Sequence, residues 1–304
     1  MATTFKCLSG KRSELIDYKS YHRNSLAIGD IDPSYSMLKY ICERFELNNE
    51  QRYWLAWIYA TCYCGATTFY IYNEFPDFEN VNVARLERWW KKDKNRLVFQ
   101  TDRRWVYSRN QLVGMFDSYR RIIGSGTQAQ KFNLFKSKDR YLNYRLCWDE
   151  FIKMKEFGRF AMFLYLEAVH VVTGFPMEPQ SMSVSDAESC RNGLALAINA
   201  PQLNTHESKS STSAKEMAFL QIEFDKMVKE LRDEDKANNV WNIETTLCAY
   251  KKYRYGKRYV GYYLDRQHKE ISLMQERVTE GVDWSVLWDY RRETFDSNVL
   301  AEHL

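Results

Sequence analysis

KEFGRFAMFLYLEAVHVVTG, residues 155–174, decides the architecture. From Phe160 to Val172 the segment is apolar on nearly every side, as a helix at the centre of a core is. Gly158 provides a turn before it, and Gly174 with Pro176 provides a stop after it. A shorter helix is predicted upstream, over 147–156, so the region reads as helix, glycine turn, central helix.

Helical spacing continues on both sides. Residues 34–46 put Met37, Leu38, Ile41, Cys42 and Phe45 on one face. Residues 50–72 read as one long, heavily apolar helix stopped by Pro76, followed by helices over 81–92 and 110–123. The stretch LVFQTDRRWV (97–106) is the least helical part of this half, and a strand pair or an irregular loop is expected there. Glycines at 124 and 126 mark a loop, and a subdomain boundary is expected near 124–146. Ser185 and Glu188 fit a capping box that opens a helix to about Ile198. Residues 201–213 are polar and loop-like, and Ser213 with Glu216 forms a second capping box. Helices then follow from Met217 to Leu231 and near 240–254, 265–279 and 283–293. No alternating β-branched runs recur. A mainly α fold with a minor β or irregular element is expected, arranged as an extension over 1–33 and a helical catalytic domain over 34–304.

Composition narrows the function. A net charge of +4 over 304 residues is too small for a protein that coats nucleic acid by bulk charge. No apolar run suits a signal peptide or a membrane span, so a soluble, cytoplasmic protein is expected, in the host cytoplasm if viral. The cysteines at 7, 42, 62, 64, 147, 190 and 248 are odd in number and lack CxxC pairs, which fits reduced, buried thiols. The histidines at 22, 170, 206, 268 and 303 are equally scattered, so neither a zinc site nor a Ser-His-Asp triad is supported.

Charge and aromatic rings concentrate in two places. In ETTLCAYKKYRYGKRYVGYYLDR (244–266), Lys251, Lys252, Arg254, Lys257 and Arg258 interleave with six tyrosines, including Tyr259 and Tyr263. Cations neutralise phosphates and tyrosine rings stack on bases. Glu244 and Asp265, at its ends, are carboxylates able to orient those cations. A basic helix end over core tyrosines explains the same residues. The second place is Gln100-Thr101-Asp102-Arg103-Arg104-Trp105, with Asn73 and Glu74 upstream. Paired arginines grip phosphate through a fixed fork, although an Arg–Asp network bracing a loop is an equal reading.

The helix–glycine–helix around Gly158 resembles the helix-hairpin-helix of base-excision DNA glycosylases. There, hairpin amides hold a DNA phosphate and an aspartate after the next helix enters the base pocket. Asp186 stands at roughly that place, but it also suits an ordinary helix N-terminus. The usual second glycine is missing, and Arg159 occupies a position where a small residue is commoner.

Together, YWLAWIYATCYCGATTFYIYNEFPDF, LVFQTDRRWV, KEFGRFAMFLYLEAV and the 244–266 block resemble a bacteriophage family. It is the alpha-glutamyl/putrescinyl thymine pyrophosphorylases, or amino acid:DNA transferases, and the resemblance runs from about residue 35 to 295. It implies a glycosylase-like helical fold and DNA hypermodification. A DNA kinase converts 5-hydroxymethyluracil to its pyrophosphorylated form, and the transferase replaces pyrophosphate with the amine of an amino acid or polyamine. The implied partners are double-stranded DNA carrying the modified pyrimidine, the free amine and that kinase, with no membrane. A base in duplex DNA must be flipped out to react. Asn73, Glu74, Gln100, Trp105, Tyr259, Tyr263 and Asp265 are the candidates for holding the base or substrate. Departing pyrophosphate needs positive charge, which Arg103, Arg104, Arg159, Lys251, Arg258 or Arg266 would supply. The attacking ammonium must first lose a proton, for which Asp186, Asp102 and Glu244 are the candidate bases, in that order. No metal ligand set is identified, and Mg2+ assistance to the leaving group stays open. A glycosylase that excises a base, or a DNA-binding protein without catalysis, are the alternatives.

Overall fold

The structure, a computed structural model, describes residues 5–6, 12–13, 15–205 and 211–302, and side chains from 15 to 300 except 102, 107 and 206–210. Cys7, His206, His303, part of the polar 201–213 loop and the side chain of Asp102 thus lie outside the described residues. The protein is mainly helical, and β structure among the described residues is one antiparallel ladder pairing Phe5–Lys6 with Arg12–Ser13. The chain divides into two units. The first comprises Met1–Asp32, Pro179–Asp265 and Phe295–Leu304, and the second Pro33–Glu178 and Arg266–Thr294.

In the second unit, the apolar segment forms the helix Arg159–Thr173, entered at Gly158 and closed by Gly174 in the left-handed conformation. It packs along Asn49–Cys62. Between them lies an aromatic core in which Trp57 stacks on Tyr119 at 5.3 Å and Tyr165 donates to the Tyr119 hydroxyl at 3.0 Å. That hydroxyl donates in turn to Gln128 Oε1 at 2.7 Å, so the buried oxygens are satisfied. Glu50 accepts the backbone N–H groups of Gln128 and Ala129, which fastens the helix Gln128–Asn133.

Several boundaries differ from the sequence reading. Residues 50–72 form two helices, Asn49–Cys62 and Gly65–Glu74, separated by Tyr63 at φ 52°. Hydrophobicity could not report the break, because every residue from 53 to 72 is buried. Packing accounts for the glycine that opens the second helix: a Cβ at Gly65 would lie 2.6 Å from Met37 Sδ, on the helix Ser34–Arg44. The upstream helix of the glycine turn is Arg140–Phe151 instead of 147–156, because Asp139 caps it by accepting from Tyr141 and Leu142. Residues 97–106 form no strand. Leu97–Gln100 is irregular, Thr101–Arg103 is a 3-10 turn, and a short helix Arg104–Ser108 follows. Phe45 falls after the helix Ser34–Arg44 and stays exposed.

In the first unit, Glu188–Ala197 packs against Val240–Arg254, and Tyr18–Ala27 packs against the same helix. The approach is closest at Gly193, where an added Cβ would meet Leu247 O at 2.0 Å. His22 bridges Thr246 Oγ1 and Asn238 Oδ1, each at 2.8 Å. The predicted capping box at 185–188 does not form. Val184–Asp186 is a 3-10 turn, the helix begins at Glu188 with Ala187 as its cap, and Ser185 donates to Asp186 instead. The Ser213–Glu216 box does form, and the helix Ala214–Glu234 follows it.

Candidate functional site

The tyrosine- and cation-rich segment folds as the end of the Val240–Arg254 helix, a turn over 255–261, and the start of Tyr262–Arg277. Gly256 (φ 67°) and Gly261 (φ 99°) make the reversal possible, since both occupy backbone conformations that a Cβ disfavours. The six tyrosines separate by role. Tyr250 and Tyr253 are core residues, ringed by Tyr18 and Tyr21. Tyr259 donates to the Asp265 carboxylate, and Tyr263 accepts from Arg258 Nη1 at 2.6 Å. The Arg258 guanidinium also lies 4.8 Å from the ring centres of both Tyr262 and Tyr263.

The cations crowd one another. Burial is the largest influence lowering the Lys251 ammonium below its ordinary value, and Arg258 and Lys257 add to it while Cys248 and Glu188 oppose. Lys252 is lowered in the same way, first by burial and then by Arg258, Lys251 and Lys257. Four positive groups, Lys251 and Lys252 on the helix end and Lys257 and Arg258 in the turn, therefore act on one another. Like charges held this close repel one another, and a bound polyphosphate would relieve that repulsion. Glu244 is 7% exposed on the same helix and accepts from the Cys248 thiol at 3.5 Å. Asp265 is buried against Tyr259.

The sequence reading missed Asp30. Tyr18–Ala27 ends in a Schellman arrangement, with Gly29 N donating to Leu26 O and Asp30 N to Ser25 O. This delivers a carboxylate that is 1% exposed to the start of the 262–277 helix. It accepts from Gly261 N and Tyr263 N at 2.7 Å and from Leu264 N at 3.1 Å. The Gly-Asp pair just after an amphipathic stretch was the available signal.

Other candidates sit in the second unit. Arg103 is 6% exposed and donates to Glu156 O at 3.0 Å, in the turn leading to Gly158. Gln100 N donates to Cys62 O at 3.1 Å. Arg266 forms an ion pair with Glu270 at 3.2 Å and lies 5.2 Å from the Tyr63 ring centre, while Phe160 meets that ring edge-on at 5.6 Å. The helix break at Tyr63 thus gathers Gln100 and Arg266 from distant parts of the sequence. Arg159 lies over Phe163. Arg104 is exposed and donates to Phe99 O. Trp105 is 58% exposed beneath Arg109, which lies 4.7 Å from its ring centre. Asn73 is exposed with its amide on Phe69 O, and Glu74 pairs with Arg85 at 3.6 Å.

Asp186 is exposed at the turn before Glu188 and belongs to the first unit, whereas the Gly158 turn belongs to the second. Among the described residues, no group of three or more His, Cys, Asp or Glu side chains is placed to hold a metal ion. Cys62 and Cys64 are buried free thiols. Among the described residues, no helix is long and apolar enough to cross a membrane.

Comparison with known proteins agrees with the family resemblance. A serinyltransferase of Salmonella phage ViI is 27% identical over 272 residues, a stretch covering 83% of this chain and 66% of that protein. This chain therefore spans just under two thirds of its relative's length. No solved structure matches. The family model for amino acid:DNA transferases matches residues 27–259, which include Asp30, Asp186, Glu244 and the cationic turn up to Tyr259, and the chain belongs to that family.

Proposed function

We propose that the protein replaces the pyrophosphate of 5-pyrophosphoryloxymethyluracil in phage DNA with the amine of an amino acid. The nitrogen lone pair forms a C–N bond at the 5-methylene carbon. The C–O bond to pyrophosphate breaks, pyrophosphate leaves with the electron pair, and the nitrogen gives up a proton. The observation that carries this reading is the group of Lys251, Lys252, Lys257 and Arg258, brought together where the chain turns back after Arg254 and Lys257 N donates to Lys252 O at 2.9 Å, inside the region that matches the family. Preorganised positive charge stabilises a departing polyanion without solvent reorganisation.

The base would be reached by flipping the nucleotide out of the duplex. Asp186, Asp102 and Glu244 are the candidate proton acceptors. Asp186 is exposed and open to an amine arriving from solvent, while Glu244 is buried beside Cys248. Of the second-unit cations, Arg104 and Arg159 are the ones that reach solvent and could meet DNA phosphate or an amino-acid carboxylate, while Arg103 is held by Glu156 O and Arg266 by Glu270. A DNA kinase acting on hydroxymethyluracil would supply the substrate in the host cytoplasm. The relative's name makes serine the first amino acid to try.

The test is incubation with DNA bearing the pyrophosphorylated base and an amino-acid mixture, with and without Mg2+, followed by nucleoside mass spectrometry and pyrophosphate assay. A new thymidine mass carrying one amino acid, with equimolar pyrophosphate, is expected. Free base release without pyrophosphate would indicate a glycosylase. Salt-sensitive DNA binding with no turnover would indicate a binding protein. Asp186→Asn and Glu244→Gln, assayed in parallel, identify the base by loss of rate with substrate binding retained.

A further inference from the structure

Asp30 does more than end a helix. Its two oxygens take three backbone N–H groups on the far side of the cationic turn, at Gly261, Tyr263 and Leu264. Tyr263, whose backbone Asp30 holds, accepts the Arg258 guanidinium through its hydroxyl and offers it a ring face. Gly29, at φ 71°, feeds Asp30 into place, and a Cβ there would meet the Phe295 ring at 2.9 Å. The sequence of contacts therefore runs from the end of the 18–27 helix, through Asp30 and Tyr263, to Arg258. An arginine already stacked and hydrogen-bonded has lost most of its rotamer freedom, so less is lost when it meets phosphate.

We propose that Asp30 is a positioning residue that presets Arg258, through Tyr263, for a pyrophosphate-sized anion held with Lys251, Lys252 and Lys257. This rests on the transferase reading only for the identity of the anion. Asparagine at position 30 could still accept from Tyr263 and Leu264. Its amide, however, would face the Gly261 N–H donor against donor, and the turn would shift.

Calorimetric titration of the full chain with inorganic pyrophosphate tests this, using Asp30→Asn, Arg258→Gln, the double variant and Tyr263→Phe. Each single variant is expected to bind about tenfold more weakly. The double variant should be no more than about twofold weaker than Arg258→Gln, because Asp30 acts through Arg258. A merely structural role would give additive losses. If Asp30→Asn does not fold, Tyr263→Phe removes only the hydroxyl that Arg258 uses and carries the same comparison. Unchanged binding by a folded Asp30→Asn or by Tyr263→Phe, an additive double variant, or no pyrophosphate binding by the parent protein would each overturn the proposal. Since the titration contains no DNA or amine, an intact cycle beside absent transfer would reject only the transferase reading.

Discussion

Replacing Gly193 by Ala tests whether the backbone contact beside the cationic turn is essential. The new Cβ would lie 2.0 Å from Leu247 O and 2.7 Å from Leu247 C, both backbone atoms in the middle of a helix. Ordinary contact is about 3.4 Å, so the helices Glu188–Ala197 and Val240–Arg254 must separate by roughly 1 Å or more. A gap of that size forfeits about a quarter to a half of the attraction between facing atoms. Overpacking of this kind costs about 1–3 kcal/mol and occasionally more. The better helix propensity of alanine offsets at most about 1 kcal/mol. A net loss of about 1–2 kcal/mol is expected, or a melting temperature lower by roughly 2–8 °C. Lys251, near Glu188 across the same pair of helices, would be displaced too, so pyrophosphate affinity should fall with stability. Gly158→Ala is the control, since nothing lies within 4 Å of its added Cβ. Urea and thermal unfolding of both variants give the answer. A Gly193→Ala protein as stable as the parent would refute the packing argument.

Three more outcomes follow from particular contacts. Arg266 and Glu270 are both nearly buried, so Glu270→Gln should cost about 3 kcal/mol, while Arg266→Met with Glu270→Leu should recover most of it; urea titration that shows the double variant worse than the single would argue against a structural pair. Burial lowers the His22 imidazole below 6.5, so the folded protein resists the proton that the unfolded chain accepts. Stability from this group is complete above pH 6.5 and declines as pH falls below it, and NMR titration of His22 at or above 6.5 would contradict this. Burial pushes the Cys42, Cys62 and Cys147 thiols up to about 12, so alkylation at pH 8 should reach them only on unfolding; rapid labelling of the native protein by mass spectrometry would contradict it.

Legibility in the sequence depended on the range of the interaction. The Ser213–Glu216 box and the Gly158-to-Gly174 helix were readable, because caps and glycine stops act over three or four residues. The break at Tyr63 was not, since a nearly all-apolar run has no periodicity to betray it, and the close approach of Met37 to Gly65 comes from a distant part of the chain. Ser185 failed as a cap because its hydroxyl turned to Asp186, a local alternative that the same four letters allow equally.

The candidate site divides in the same way. Sequence alone determined a helical protein of a DNA-modifying family, with its cations concentrated around 250–258, because composition and order of blocks are properties of the chain. Tertiary structure decided what each aromatic and cation does. It sent Tyr250 and Tyr253 into the core, tied Arg103 to Glu156, and left Trp105 exposed. It also brought Asp30 to residues 261–264, more than two hundred positions away. A buried carboxylate must find donors wherever the fold offers them, and no local pattern in the sequence names those donors.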